Sequence, residues 1–220
     1  MKKYLSLVTF SHTIFAMPFA FIGFFLAVNT TSNQFSWLKL ALMVLCMIFA
    51  RNAAMAFNRY LDRDIDAKNP RTKVRDIPAG RIPAKNALIF TIINCLLFIG
   101  ATWFINSLCF YLSPIALIVI LGYSVTKRFT ALCHLVLGLG LSLAPIGAYL
   151  VVTGEFALLP ILFSLAVLCW VSGFDIIYAL QDEDFDRSEN LHSIPSYLGK
   201  KNALMLSNFL HVLAAAFVIA

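Results

Sequence analysis

An all-helical, multi-pass transmembrane bundle is the fold class this chain predicts, on three observations. Of its 220 residues 60% are hydrophobic and only 13% charged, where a water-soluble domain carries about a quarter charged residues. The apolar residues fall in runs of about 20, the length a helix needs to cross the hydrocarbon core of a bilayer. The basic residues, finally, gather in alternate connections between those runs, as topology signals do.

Taken in order, the runs lie near 6–28, 37–57, 86–106, 108–126, 131–153, 156–178 and 202–220, about seven spans by length and hydropathy. The first is longer than a signal-peptide core and lacks a small-residue cleavage site, so it is kept as structure. Lys2 and Lys3 precede it. Eight Lys or Arg lie from Arg59 to Lys85, between the second and third runs. Lys127 and Arg128 follow the fourth, and Arg187, Lys200 and Lys201 separate the sixth from the seventh. The remaining connections hold almost nothing basic beyond Lys39. The formal charge of +6 is thus topological and implies no nucleic-acid partner. It places the N-terminus and the basic loops on the cytoplasmic side of the cell inner (plasma) membrane. Residues 1–220 read as a single transmembrane domain. Because the chain ends within the apolar stretch HVLAAAFVIA, the expectation is a domain cut short at its C-terminus.

Only two loops exceed a tight turn. One runs from Asp62 to Lys85, broken by Pro70, Pro78, Gly80 and Pro83; the other runs from Gln181 to Lys200, with Pro195 and Gly199 near its end. Cys46, Cys95, Cys109, Cys133 and Cys169 all fall within the apolar runs without CxxC spacing, so neither a disulfide nor a zinc site is expected.

Each long loop follows an acidic helix end. The segment 51–66, RNAAMAFNRYLDRDID, carries Asn58, Asp62 and Asp66 as NxxxDxxxD; the segment 175–186, DIIYALQDEDFD, carries Asp175, Tyr178, Asp182 and Asp186. At roughly 100° per residue, positions 4, 7 and 11 apart share one helical face. The matched spacing hints at an internal duplication. Both sets open on the cytoplasmic side, and a carboxylate at a membrane boundary is costly enough to mark function. Hard cations such as Mg2+ take oxygen ligands, commonly one or two carboxylates completed by phosphate oxygens and water. Asp62, Asp66, Asp182 and Asp186 suit that role, with Asn58 as a neutral ligand or hydrogen-bonding support. Asp64, Glu183 and Asp184 lie off these faces and are assigned to solvent or loop contacts.

A phosphate ester also needs donors. Lys68, Arg71, Lys73 and Arg75 follow the first cluster, and planar guanidinium groups make Arg71 and Arg75 the best suited. Basic residues would be expected in this loop as membrane anchors alone, which weakens the case for Lys68, Lys73, Arg81 and Lys85. Tyr123 and Lys127, one turn apart at the end of the fourth run, can neutralise a departing diphosphate. Arg51 lies deep in the second run on the Asn58 face and needs a partner, for which a substrate carboxylate is a candidate. Asp175 is assigned to orienting an acceptor or taking a proton. His12, near the start of the first run, is a catalytic candidate with helix packing as the favoured reading, and His134, His192 and His211 have weaker catalytic claims still.

Together NxxxDxxxD, the RTKVR and PAG segments after it, YSVTKRFT after the fourth run and DIIYALQDEDFD after the sixth resemble the UbiA superfamily of intramembrane aromatic prenyltransferases. The branch most similar is the 4-hydroxybenzoate polyprenyltransferases, and the SHTIFAMPFAFIG opening looks like members that act on a dihydroxynaphthoate. The resemblance implies nine transmembrane helices around a central cavity with a cytoplasmic cap, against about seven spans here. It implies Mg2+-diphosphate ligands at Asn58, Asp62, Asp66, Asp182 and Asp186, and diphosphate contacts at Arg71, Arg75, Tyr123 and Lys127. Arg51 matches a position near the aromatic acceptor. The expected activity is Mg2+-dependent transfer of a polyprenyl group from polyprenyl diphosphate to a ring carbon of a hydroxylated aromatic acid in ubiquinone or menaquinone biosynthesis. The alternatives are a transferase of the same family acting on another lipid-soluble acceptor, and a transporter using intramembrane carboxylates.

Overall fold

Within a bilayer a backbone must satisfy its own hydrogen bonds, and helices do so locally. The computed structural model describes Leu7, Val8 and residues 10–220, with side chains from Ala16 onward in the first helix; Lys2, Lys3 and the His12 side chain lie outside the described residues. All regular structure among them is helical. The order is α1 (Phe10–Thr30), α2 (Trp37–Leu61), α3 (Arg63–Lys68), α4 (Ala84–Trp103), α5 (Ser107–Thr126), α6 (Cys133–Thr153), α7 (Leu158–Ala179), a 3-10 turn (Leu180–Asp182), α8 (Glu183–Ser188) and α9 (Ile194–Ile219). Six helices are long and apolar enough to cross a membrane, and α1 adds a further apolar helix.

Local chemistry sets the ends. The Ser36 hydroxyl accepts from the Lys39 amide at the start of α2, and the Asn106 side chain accepts from the Cys109 amide at the start of α5. Ser193 and Ser196 form a reciprocal capping box at the start of α9. That start corrects the expected one. The second long loop ends at Ser193, because Pro195 sits in the first helical turn, where a missing N–H costs nothing. The break expected at Gly199 is present as a kink inside α9, with φ 76°.

The helices associate through small residues. Gly23 lets α1 lie against α6, where an added Cβ would sit 1.9 Å from the Pro145 carbonyl oxygen. Ala20, Phe24 and Ala27 of α1 then pack with Met43 of α2 and with Ala148, Tyr149 and Val152 of α6. On the other side α7 packs against α6 and α9, and the Ser207 hydroxyl donates to the Gly173 carbonyl at 2.8 Å, tying α9 to α7. α2 packs against α4, and α5 bridges α4 and α6. Helices α1, α2, α4, α5 and α6 line an apolar cavity of about 320 Å³.

At one end of the bundle the two long loops meet. Lys68 pairs with Glu189 at 2.6 Å, and the His192 amide donates to the Lys127 carbonyl at 2.8 Å. The short α5–α6 connection shares that end, and the α1–α2, α4–α5 and α6–α7 connections lie at the other, where Lys39 Nζ caps the Val152 carbonyl at 2.8 Å.

Candidate active site

Both acidic motifs fold in the same way, and not as the unbroken helical faces expected. α2 stops at Leu61, Asp62 takes φ −89° and ψ 6°, and the six-residue α3 carries Asp66 one turn on. α7 gives way to the 3-10 turn, Asp182 takes φ −111° and ψ 9°, and the six-residue α8 carries Asp186 one turn on. Each break re-aims the second carboxylate of its pair. Asn58, Asp62, Asp66, Asp182 and Asp186 thereby line a single polar pocket of about 160 Å³, together with Asn69, Arg71, Thr72, Arg75 and Lys127.

Three of the four carboxylates are held by cations. Asp62, 1% exposed, receives Lys127 Nζ at 2.5 Å and Arg128 Nη2 at 3.2 Å, while Asn58 Nδ2 donates to it at 3.0 Å. Burial pushes the Asp62 carboxyl above the usual carboxylate range, with Lys127 opposing. Asp66 accepts from Arg75 Nη1 on both oxygens, at 2.7 and 2.9 Å. Asp182 accepts from Arg71 through Nε at 3.0 Å and through Nη2, and from Asn69 Nδ2 at 3.0 Å. The hydrogen bonds it donates to Asp182 hold the Arg71 guanidinium above its ordinary range. Among the described residues no three His, Cys, Asp or Glu side chains form a ready-made ligand cluster. The donor set is nevertheless all oxygen, two pairs of carboxylates facing one pocket, and fits a hard cation whose shell phosphate oxygens complete.

The pocket adjoins the apolar cavity along two helices. Asn58 and Lys127 line the polar side; Ala54 and Tyr123, one turn back on α2 and α5, line the apolar side, as does Arg51. Among the described residues Arg51 Nε is buried without a hydrogen-bond partner, and Nη2 reaches only the Met55 sulfur at 3.9 Å. Such a donor costs free energy until an acceptor meets it.

The remaining expected residues sit apart. Tyr178 lies beside Arg71, its hydroxyl accepting from Nη1 at 3.0 Å, but does not line the pocket. Lys68 is committed to Glu189 outside it. Asp175 bonds His134 Nδ1 at 2.7 Å, and His134 Nε2 accepts from the Ile194 amide at 3.2 Å. His134 therefore packs, as expected, but against a site candidate. Glu183 pairs with Arg187 and Asp64 stays exposed beside Arg63. Sequence reasoning missed Asn69, Thr72 and Arg128. Arg128 had a signal in its adjacency to Lys127, and Asn69 in preceding Pro70, a residue pair that places a side-chain amide at a turn.

Residues 16–220 match the model of the UbiA prenyltransferase family. The chain belongs to that family. Among curated relatives it is 34% identical over 157 residues to a 4-hydroxybenzoate octaprenyltransferase of Tolumonas auensis, covering 71% of this chain and 55% of the relative. It is 30% identical over 181 residues to one of Shewanella baltica, covering 82% and 63%. The chain thus spans somewhat over half the length of these relatives. Among solved structures it is similar to the apo structure of a UbiA homolog from Aeropyrum pernix K1, with TM-score 0.87, 36% identity and coverage of 94% of this chain and 77% of that one. A UbiA homolog from Archaeoglobus fulgidus, solved bound to GPP and Mg2+, shares the fold at TM-score 0.75 and 24% identity, covering 99% and 75%.

Proposed function

We propose that residues 1–220 form one transmembrane prenyltransferase domain. It transfers a polyprenyl group from polyprenyl diphosphate to a ring carbon of a hydroxylated aromatic acid, 4-hydroxybenzoate or a dihydroxynaphthoate, in quinone biosynthesis. One observation carries the reading: a polar pocket of carboxylates and cations stacked directly on an apolar cavity. A prenyl diphosphate has that same division, a charged head joined to a hydrocarbon tail.

In this reading Arg71, Arg75 and Lys127 bind the diphosphate oxygens and stabilise the charge that gathers on the leaving group as the allylic C–O bond breaks. Asp62, Asp66, Asp182 and Asp186, supported by Asn58, hold Mg2+, which when bound supplies further neutralisation of the diphosphate. Arg51 orients the acceptor through its carboxylate, so that a ring carbon ortho to the phenol oxygen faces the allylic carbon. Asp175 is the candidate for orienting that acceptor or receiving the ring proton. The apolar wall, with Phe98, Val119 and Leu141, excludes water from the electron-poor carbon. The basic loops and the N-terminus face the cytoplasm across the inner membrane. The names of the curated relatives and the GPP and Mg2+ held by the fold neighbour support the substrate class.

The test is incubation of the reconstituted protein with prenyl diphosphates, MgCl2 and a panel of hydroxylated aromatic acids, read by mass spectrometry. A product carrying a C-prenylated ring is expected. Turnover of diphosphate with no prenylated aromatic product from any acid would reject the acceptor class.

A further inference from the structure

The pocket is lined by four carboxylates, Asp62, Asp66, Asp182 and Asp186, and by three cations, Arg71, Arg75 and Lys127, while Arg128 reaches Asp62 from outside the lining. The cations that suit phosphate oxygens are bonded to the carboxylates that suit a metal. A divalent cation entering alone must compete with Arg71 for Asp182, with Arg75 for Asp66 and with Lys127 and Arg128 for Asp62. A diphosphate entering alone must draw those same cations from buried carboxylates, leaving negative charge uncompensated at a group only 1% exposed, which is strongly unfavourable. When both enter, Asp62, Asp66 and Asp182 trade basic side chains for metal, and Arg71, Arg75 and Lys127 trade carboxylates for phosphate.

We infer that Arg71, Arg75 and Lys127 act as resident counter-ions that exchange partners on ligand binding, so that metal and diphosphate bind as a mutually dependent pair. This rests on the functional reading above and adds to it a sign: removing one of these cations strengthens metal binding while weakening diphosphate binding. The coupling is reciprocal by thermodynamic necessity. Its physical source is an exchange of partners that leaves the site close to charge balance, whereas either ligand alone leaves a buried excess of one sign.

Calorimetry on the full chain in detergent tests this with MnCl2 and inorganic diphosphate, each alone and each in the presence of the other. Formation of the soluble metal–diphosphate complex is measured separately and subtracted. The expected coupling is about tenfold or more in either order. Arg71→Gln removes the cation from Asp182 and leaves it the neutral Asn69 donor, so MnCl2 alone binds about tenfold tighter, diphosphate alone binds more weakly, and the coupling falls. Lys73→Gln removes the same charge from the same exposed loop without releasing one of these carboxylates, and leaves metal affinity within about twofold because solvent screens it. An Arg71→Gln protein whose metal affinity is unchanged, lowered or raised no more than in Lys73→Gln overturns the exchange. Metal and diphosphate binding independently to the parent protein would also overturn it, with the site reading intact. Failure of either ligand to bind at all would overturn the site reading and the exchange together.

Discussion

Replacing Lys127 with methionine keeps the unbranched stem, one atom shorter, and removes the charge, so it isolates what the ammonium group does for Asp62. The carboxylate is 1% exposed and Lys127 Nζ lies 2.5 Å from it. Removing one partner of a fully buried pair costs about 3–5 kcal/mol. Two features reduce that here: the Lys127 side chain is 29% exposed, and Arg128 remains 3.2 Å from the other carboxylate oxygen. About 2 kcal/mol is the expected loss, a fall of about 4–8 °C in Tm for a chain of this size. The dependence on pH fixes the cause. Burial already raises the Asp62 carboxyl in the folded protein and Lys127 opposes that rise, so the variant raises it further. A carboxyl whose folded pKa lies above its unfolded value of about 3.9 destabilises the fold in its charged form. That cost is fully present above the raised folded pKa and shrinks as pH falls through it, because the native protein then takes up the proton first. Thermal unfolding in detergent between mildly alkaline and acidic pH therefore shows the gap between parent and variant closing on acidification. A variant as stable as the parent, or a gap that widens as pH falls, would refute the argument.

Other outcomes are equally specific. Asp62→Ala or Asp182→Ala leaves the protein inserted and folded but abolishes Mg2+-dependent transfer; retained turnover in both, measured with radiolabelled prenyl diphosphate, rejects the metal assignment. Arg51→Ala raises the KM for the aromatic acid by tenfold or more, for loss of about 1.4 kcal/mol or more of acceptor binding, and leaves the KM for the prenyl diphosphate nearly unchanged. An unaltered acceptor KM removes its role. Gly23→Ala forces its Cβ against the Pro145 backbone, 1.9 Å away, and costs about 1–3 kcal/mol as overpacking. Gly147→Ala, with open space around its Cβ, lacks that penalty in the same unfolding assay.

Much of the architecture was legible in the linear pattern. Helices α2 and α4 to α7 begin and end within a few residues of the apolar runs, because in a bilayer length and hydropathy leave few other solutions. The start of α9 was hidden because Pro195 carries opposite meanings in a loop and in a first helical turn, and only the capping box of Ser193 and Ser196 decides between them. The acidic spacing led to the pocket, since Asn58, Asp62, Asp66, Asp182 and Asp186 all reach it. The helix breaks at Asp62 and Asp182 were not legible, for neither motif contains Gly or Pro at the break. Nor were the ion pairs, which join residues as distant as Asp62 with Arg128 and Arg71 with Asp182. Such partners are set by how helices dock, and local spacing carries no record of docking. Asp175 shows the same limit: its bond to His134 depends on the approach of α6 to α7, and His134 alone in an apolar helix looks like packing.

The frontier between the wet and the oily compartment falls between Ala54 and Asn58 on one helix and between Tyr123 and Lys127 on another, a rise of about 6 Å. A molecule with an ionic head and a greasy chain satisfies both compartments at one depth only. The bundle thus acts as a depth gauge, registering the junction of head and chain at the same height whatever the length of the chain below.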